Sequence, residues 1–249
     1  MKFSQIFSVL DSRMIKIIAV FTMTVDHIGV VLFPNLIWLR IIGRISFPLF
    51  AFLIAYGCIK TRNIGMYFLR LIAFACFLQI FWISAGLIEK SMLPEFNNIF
   101  FTLAFGVGAV WLIRFLQSKF NFNDIVDHTL FILLSTMIGF FVAYIGGLLR
   151  VDYGMEGIIL IIAFFAVLRL PFQNLAVKFI ASVVVLTLFN LLLSISIGFT
   201  YQWYSMLTII FIWLFKDRKI KAHFVEKYAF YIYYPLHFVV LYLILLLVI

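Results

Sequence analysis

Residues 14–34 read MIKIIAVFTMTVDHIGVVLFP, with a lysine near the start and Asp26-His27 past the middle. As a helix the run covers about 32 Å, just over the roughly 30 Å of hydrocarbon in a bilayer. It is too long for a signal peptide, carries an Asp-His pair and lacks a small-residue cleavage site. The expectation is therefore a retained first span, with no signal peptide.

The rest of the chain extends that reading. Of 249 residues, 66% are hydrophobic and 12% charged, far from the balance of a water-soluble domain. Only helices and closed barrels satisfy the backbone in lipid. A barrel would show short alternating segments. This chain shows long unbroken apolar runs, so the fold class is an all-α polytopic transmembrane bundle. Nine spans are expected, at 14–34, 38–59, 66–88, 98–117, 129–149, 154–170, 175–198, 201–215 and 228–249. The eighth is short for a crossing. Residues 1–249 read as one membrane domain. Residues 1–13 hold a short interfacial helix, with Phe3, Ile6, Phe7 and Leu10 on one side, and residues 14–249 form the bundle.

The net charge of +9 has a topological explanation. With the N-terminus in the cytoplasm, fifteen of the nineteen basic residues fall on the cytoplasmic side, including the cluster from Lys216 to Lys227. The other side receives Arg40, Arg44, Lys90 and Arg150. An odd span count then puts the C-terminus outside the cytoplasm. Nucleic acid is not an expected partner; the lipid bilayer is. Cys58 and Cys76 both lie in apolar runs with no ligand spacing, so neither a disulfide nor a metal is expected.

An ionisable side chain inside the hydrocarbon costs a few kcal/mol or more, so it usually has a partner and a task. Asp26 and His27 lie about 18–20 Å from the start of the first run. Arg44 lies roughly 9 Å down the second, which returns from the other side. The three therefore share one level, and Arg40 stands one turn above Arg44 on the same face. A short loop makes the two spans antiparallel neighbours, so an Asp26–Arg44 contact is expected. It could simply pin the helices, but two arginines against one aspartate leave positive charge for an anionic or strongly polar ligand. Gly43, Pro48 and Gly57 punctuate the second span, which should bend beside this cluster.

Other polar residues fall near the same depth: Gln79, Asn98 with Thr102, and Asp152, Tyr153 and Glu156. Asn98 and Asp152 also read as plain helix starts. Glu156 sits inside an apolar run, placed to pair with Arg150 or to reach the cluster. The last span carries Tyr228, Tyr231, Tyr233 and Tyr234, then Pro235 and His237. The tyrosines fit an interfacial belt. Pro235 should kink or break the helix. His237 is about 12–14 Å from the cytoplasmic edge, several ångströms below Asp26. Lys60, Arg62 and Arg70 flank a cytoplasmic loop. They are candidates for the phosphates of a nucleotide-like cofactor, or for lipid headgroups.

These residues lie in recognisable strings. The first two are Asp26-His27-Ile28-Gly29 and Arg40-Ile-Ile-Gly43-Arg44-Ile-Ser-Phe47-Pro48-Leu-Phe50. Later come Asn98-Ile-Phe-Phe101-Thr102, Asp152-Tyr153-Gly154, and Tyr234-Pro235-Leu-His237. Taken in this order they resemble the TraX family of bacterial inner-membrane proteins. The resemblance runs from residue 16 to residue 237. It implies a multi-pass inner-membrane acetyltransferase with acetyl-CoA as donor. Its acceptor would be an amine or hydroxyl, such as a pilin N-terminus or a surface glycan. It is also similar, more distantly, to membrane acyltransferases that O-acetylate glycans. Asp26, His27, Arg44 and His237 occupy the motif positions and are the implied catalytic residues.

Acyl transfer needs a base, a donor for the developing oxyanion and alignment of the partners. The expected roles are His27 as base, Asp26 as holder of Arg44, and Arg44 with Arg40 as oxyanion or anion donors. His237, nearer the cytoplasm, would contact the thioester or carry the acetyl group outward. Gln79, Asn98, Asp152, Tyr153, Glu156, Tyr234 and Arg40 are the candidate substrate-binding residues. Lys60, Arg62 and Arg70 would hold the donor's phosphates. Two other classes remain: a proton-coupled transporter using the same buried Asp, His and Arg, and a non-catalytic assembly partner for a surface structure.

Overall fold

The structure is a computed structural model and describes residues 9–84, 98–122, 124–170, 175–198, 200–218 and 224–248. The proposed interfacial helix lies mostly outside them, as do Lys90 and the middle of the 216–227 basic segment. Among the described residues the regular elements are helices, with one isolated backbone bridge. In order they form α1 (Ser12–Val31), α2 (Ile37–Gly43), α3 (Ser46–Lys60), α4 (Ile64–Ser84), α5 (Ile99–Gln117), α6 (Ile125–Leu148), α7 (Gly154–Arg169) and α8 (Leu175–Ile197). A 3-10 segment (Thr200–Leu207), α9 (Thr208–Trp213) and α10 (Phe224–Val248) complete the chain.

Among the described residues, seven stretches are long and apolar enough to cross a membrane: α1, α2–α3 together, α4, α5, α6, and most of α8 and of α10. Large apolar side chains such as Phe21, Phe141, Ile195 and Leu247 point outward. In water that surface would be untenable, but lipid solvates it. The other two expected spans differ from the plain helices anticipated. The segment at 154–170 is a helix of 16 residues, about 24 Å long. The segment at 201–215 is eight residues of 3-10 helix followed by six of α-helix. A 3-10 helix rises about 2.0 Å per residue, so this short stretch still covers about 25 Å.

The chain divides into two compact units, one of residues 1–53 and 171–249, the other of residues 54–170. The second unit is built on α5, whose residues from Phe100 to Val110 are mostly buried. Gly106 of α5 meets α7 so closely that a Cβ there would lie 2.5 Å from the Ile161 side chain. Asn98 caps α5 by accepting from the Phe100 amide at 3.2 Å. Ahead of α7, Arg150 and Tyr153 adopt left-handed backbone conformations, φ 50° and 57°.

The first unit holds α1, α2, α8, the 3-10 segment, α9 and α10. Asp11 caps α1, accepting from the amides of Arg13 and Met14. Leu10, expected to end a helix, is instead in an extended bridge. Its amide donates to the Leu214 carbonyl, and its carbonyl accepts from the Lys216 amide. This clamps the start of α1 to the end of α9.

The second span bends where the glycine and proline spacing suggested. α2 stops at Gly43, α3 starts at Ser46, and Arg44 and Ile45 form the turn between them. Pro48 has no N–H to give the Arg44 carbonyl, so the regular ladder fails there. Side chains from neighbouring helices tie the break down. Ser46 Oγ donates to the Ala19 carbonyl of α1 at 2.9 Å, and Thr208 Oγ1 to the Ile45 carbonyl at 3.3 Å.

Two glycines let α1 and α2 meet. A Cβ on Gly29 would stand 2.7 Å from Leu39 Cβ, and one on Gly43 would stand 2.1 Å from Asp26 Oδ1. Gly43→Ala should therefore expel the Asp26 carboxylate from its place and cost about 3–5 kcal/mol, the scale of a broken buried ion pair. Gly147→Ala meets only ordinary van der Waals contact at 3.5 Å and is the control. Thermal unfolding of both variants in detergent measures the difference.

Candidate functional site

The site in the first unit begins with the geometry of α1. Adjacent residues on a helix point about 100° apart. Asp26 and His27 accordingly serve different neighbours. Asp26 faces α2. Its Oδ2 accepts from Arg40 Nη1 at 2.8 Å and its Oδ1 from Arg44 Nη2 at 2.9 Å. Arg44 also donates through Nε to the Arg40 carbonyl at 3.2 Å, and through Nη1 to Gln202 Oε1 at 3.4 Å. Side-chain exposure falls from 29% at Arg40 to 14% at Asp26 and 9% at Arg44. The expected Asp26–Arg44 contact is present, and Arg40 joins it directly.

His27 faces α10. Its Nδ1 lies 2.7 Å from His237 Nε2, and the two rings stack with centroids 5.0 Å apart. The separation of several ångströms expected between these histidines is thus corrected. The count assumed that α1 and α10 start at the same depth and run straight up, but α10 begins at Phe224, four residues ahead of the expected start. The break expected at Pro235 is also absent: α10 is assigned as helix throughout, with Pro235 inside it. The missing N–H falls on the Tyr231 carbonyl, one turn before the histidine.

The hydrogen bonds fix the tautomers. His237 Nδ1 lies 3.1 Å from the Tyr233 carbonyl, which can only accept, so Nδ1 carries a proton. With both rings neutral, His237 Nε2 is then the acceptor and His27 Nδ1–H the donor. That leaves His27 Nε2 with a bare lone pair, the form a general base requires.

Three tyrosine contacts hold the pair. Tyr233 stacks on His237 with an interplanar angle of 10°, and Tyr234 meets it edge-on at 5.5 Å. Tyr233 Oη lies 2.6 Å from Thr24 Oγ1, whose own proton goes to the Val20 carbonyl, so the tyrosine donates. Tyr234, expected at the site, is there. Tyr233, expected only as part of an aromatic belt, supplies the carbonyl that orients His237.

Gln202 was missed by the sequence reading. It lies in the 3-10 segment, 2% exposed. Its signal was available: an amide side chain in a segment that already looked too short for a regular span.

The remaining candidates belong to the second unit and cluster there. Asn98 Nδ2 donates to the Ala75 carbonyl at 3.0 Å and to Gln79 Oε1 at 3.2 Å. One turn on, the Thr102 hydroxyl donates to the Asp152 carbonyl. Asn98 is thus a cap as well as a cluster member, whereas the N-cap of α7 is Tyr153, not Asp152. Glu156 lies in the first turn of α7. Lys60 and Arg62 are exposed at the α3–α4 loop. The Lys60 ammonium lies 5.3 Å over the Tyr56 ring, and the Arg70 guanidinium 5.8 Å over Tyr67. Lys60 and Arg62 thus leave exposed positive charge at this loop.

Removing Asp26 strands two guanidinium groups, while removing Arg40 leaves Asp26 paired with Arg44. Asp26→Ala should therefore cost about 3–5 kcal/mol and Arg40→Ala about 1 kcal/mol. Thermal unfolding in detergent should rank them in that order.

Comparison with known proteins places this architecture. No solved structure matches the chain. An uncharacterized protein of Rickettsia prowazekii (strain Madrid E) is 31% identical over 121 residues, 49% of this chain and 45% of that protein. A probable fimbrial assembly protein, FimC, of Dichelobacter nodosus is 31% identical over 108 residues, 39% of this chain and 44% of that protein. The chain therefore spans under half the length of these relatives. The profile of the TraX protein family matches residues 11–245, which include every residue of the charged and histidine clusters. This multi-pass helical membrane protein belongs to the TraX family.

Proposed function

We propose that the protein is an acyltransferase of the bacterial inner membrane, moving acetyl from acetyl-CoA to an amine or hydroxyl acceptor. The observation that carries this reading is the hydrogen bond between His27 and His237. It leaves one imidazole nitrogen as a bare lone pair beside a buried, cation-rich cluster.

The chemistry follows from that pairing. His27 Nε2 takes the proton of the acceptor N–H or O–H as the acceptor attacks the acyl carbon. The bond to sulfur then breaks, and the proton returns from His27 to the departing thiolate, leaving the histidine as it began. His237 keeps His27 in the right tautomer and shares its transient charge. It touches His27, so it acts in the same step and need not carry the acetyl group itself. Arg44 and Arg40 supply donors for negative charge developing on the acyl oxygen. Lys60 and Arg62, exposed at the α3–α4 loop, and the half-buried Arg70 are the candidates for the phosphates of CoA. The Dichelobacter relative, described as a fimbrial assembly protein, favours a pilin or fimbrial subunit over a glycan as acceptor. The clamp between Leu10 and the Leu214–Lys216 stretch puts the start of α1 and the end of α9 at one level. That suits an even number of crossings between them, with both segments in the cytoplasm.

The same histidine pair would also suit proton-coupled transport, because it can pass a proton from ring to ring. Acetyl transfer in isolated membranes separates the two. With labelled acetyl-CoA, His27→Ala should lower transfer by about 100- to 10,000-fold. His237→Ala should fall in the same range. Tyr233→Phe should stay within a few-fold of the parent, because its backbone carbonyl still orients His237. Undiminished transfer in both histidine variants would rule out this assignment. Solute uptake driven by a pH gradient without acetylation would favour the transporter.

A further inference from the structure

Gln202 is held by one end. Its Oε1 faces Arg44 at 3.4 Å, and because a guanidinium can only donate, that contact identifies the oxygen. The other end, Nε2, is buried with no hydrogen-bond partner. Buried amide nitrogens in native proteins are almost always paired, so this one calls for a physical reason. Two other buried side-chain atoms among the described residues share the property, Arg13 Nε and Ser135 Oγ. A serine hydroxyl can swing onto the carbonyls of its own helix, and an arginine has four further N–H groups. A glutamine fixed through its oxygen has neither recourse.

The surroundings say what is missing. Both oxygens of Asp26 are engaged by guanidinium groups, so two cations face one carboxylate. A glutamate at 202 would have neutralised the excess. The sequence places an amide there, which gives Arg44 an acceptor, keeps the surplus positive charge and adds a donor at the same buried level. A group that satisfies this arrangement accepts hydrogen bonds, carries negative charge and is small. We propose that Gln202, Arg44 and Arg40 form a subsite for a compact oxygen anion: a carboxylate, a phosphate or the oxyanion of an acyl-transfer intermediate. Its use as an oxyanion subsite rests on the acyl-transfer reading; its binding of an anion does not.

The test uses the full chain purified in detergent. Thermal unfolding is followed in sodium acetate, in inorganic phosphate and in chloride at equal ionic strength, for the parent, Gln202→Leu and Gln202→Glu. Saturating acetate or phosphate should raise the midpoint of the parent by about 5 °C over chloride. A response to acetate alone identifies a carboxylate or acyl oxygen, and a response to phosphate alone a phosphate group. Gln202→Glu still accepts from Arg44, so it should fold while losing the response, and it carries the test if Gln202→Leu does not fold. No shift in the parent, or an equal shift in Gln202→Glu, overturns the subsite. The same preparations are assayed for acetyl transfer, where Gln202→Glu should lose about 100-fold in kcat. An anion response without transfer keeps the subsite and removes the acyl-transfer reading. Transfer with an unchanged kcat in Gln202→Glu and no anion response removes the subsite alone.

Discussion

Asp26 accepts one guanidinium on each carboxylate oxygen, inside a bundle that lipid surrounds. A lone carboxylate there would be too costly to keep ionised, and each arginine alone nearly as costly. Together they share the cost, but only at hydrogen-bonding distance, which dictates much around them. Gly43 lacks a side chain because the carboxylate occupies that space. α2 ends at that glycine, and its residue Arg40 and its C-cap Arg44, one helical turn apart, both turn their guanidinium groups to Asp26. The break leaves irregular backbone within an apolar segment, and Ser46 and Thr208 tie it to α1 and α9. The ion pair is therefore less a source of stability than a set of constraints on where the neighbouring helices can go.

The same contact governs His27. With Asp26 fixed against α2, the helical step of about 100° leaves its neighbour no choice of direction. His27 turns to α10, where His237, Tyr233 and Tyr234 receive it. One dipeptide thus fastens α1 to both α2 and α10, and the Leu10–Phe215 bridge locks the start of α1 to the end of α9. The tautomer of His27 is set by a hydrogen-bond chain that runs through the neutral His237 ring and ends on the Tyr233 carbonyl.

Much of this was legible in the residues. Apolar runs of crossing length gave the helices, and depth counting brought Asp26 level with Arg44 because the joining loop is short. Gly43 and Pro48 marked the bend. Counting failed where its assumptions did. α10 starts at Phe224, earlier than the apolar run suggests, so His237 stands beside His27 instead of below it. Proline was read as a kink or a break, and α10 continues through Pro235 without breaking, at the loss of one ladder bond. The 3-10 winding of Thr200–Leu207 has no signature in hydrophobic period, and Gln202 was overlooked although its amide stood in a segment visibly short for a span. Asn98 was read as a helix start and as a substrate-binding candidate; it caps α5 with its oxygen and donates to Ala75 and Gln79 with its nitrogen.

The choice of partner for His27 has a physical rationale. In water-exposed sites a histidine base is commonly oriented by a carboxylate. Here the neighbouring carboxylate is already bound by two arginines. A second carboxylate beside His27 would bring another charge into apolar surroundings and cancel the cation excess at Arg40 and Arg44. A second imidazole orients the first without adding charge, since a neutral ring both donates and accepts. When His27 takes a proton, the charge spreads over two rings and a backbone carbonyl, and it vanishes when the proton leaves. A neutral relay thus adds no charge beside the Asp26–Arg40–Arg44 cluster. That arrangement orients His27 with no permanent ion added to the membrane interior.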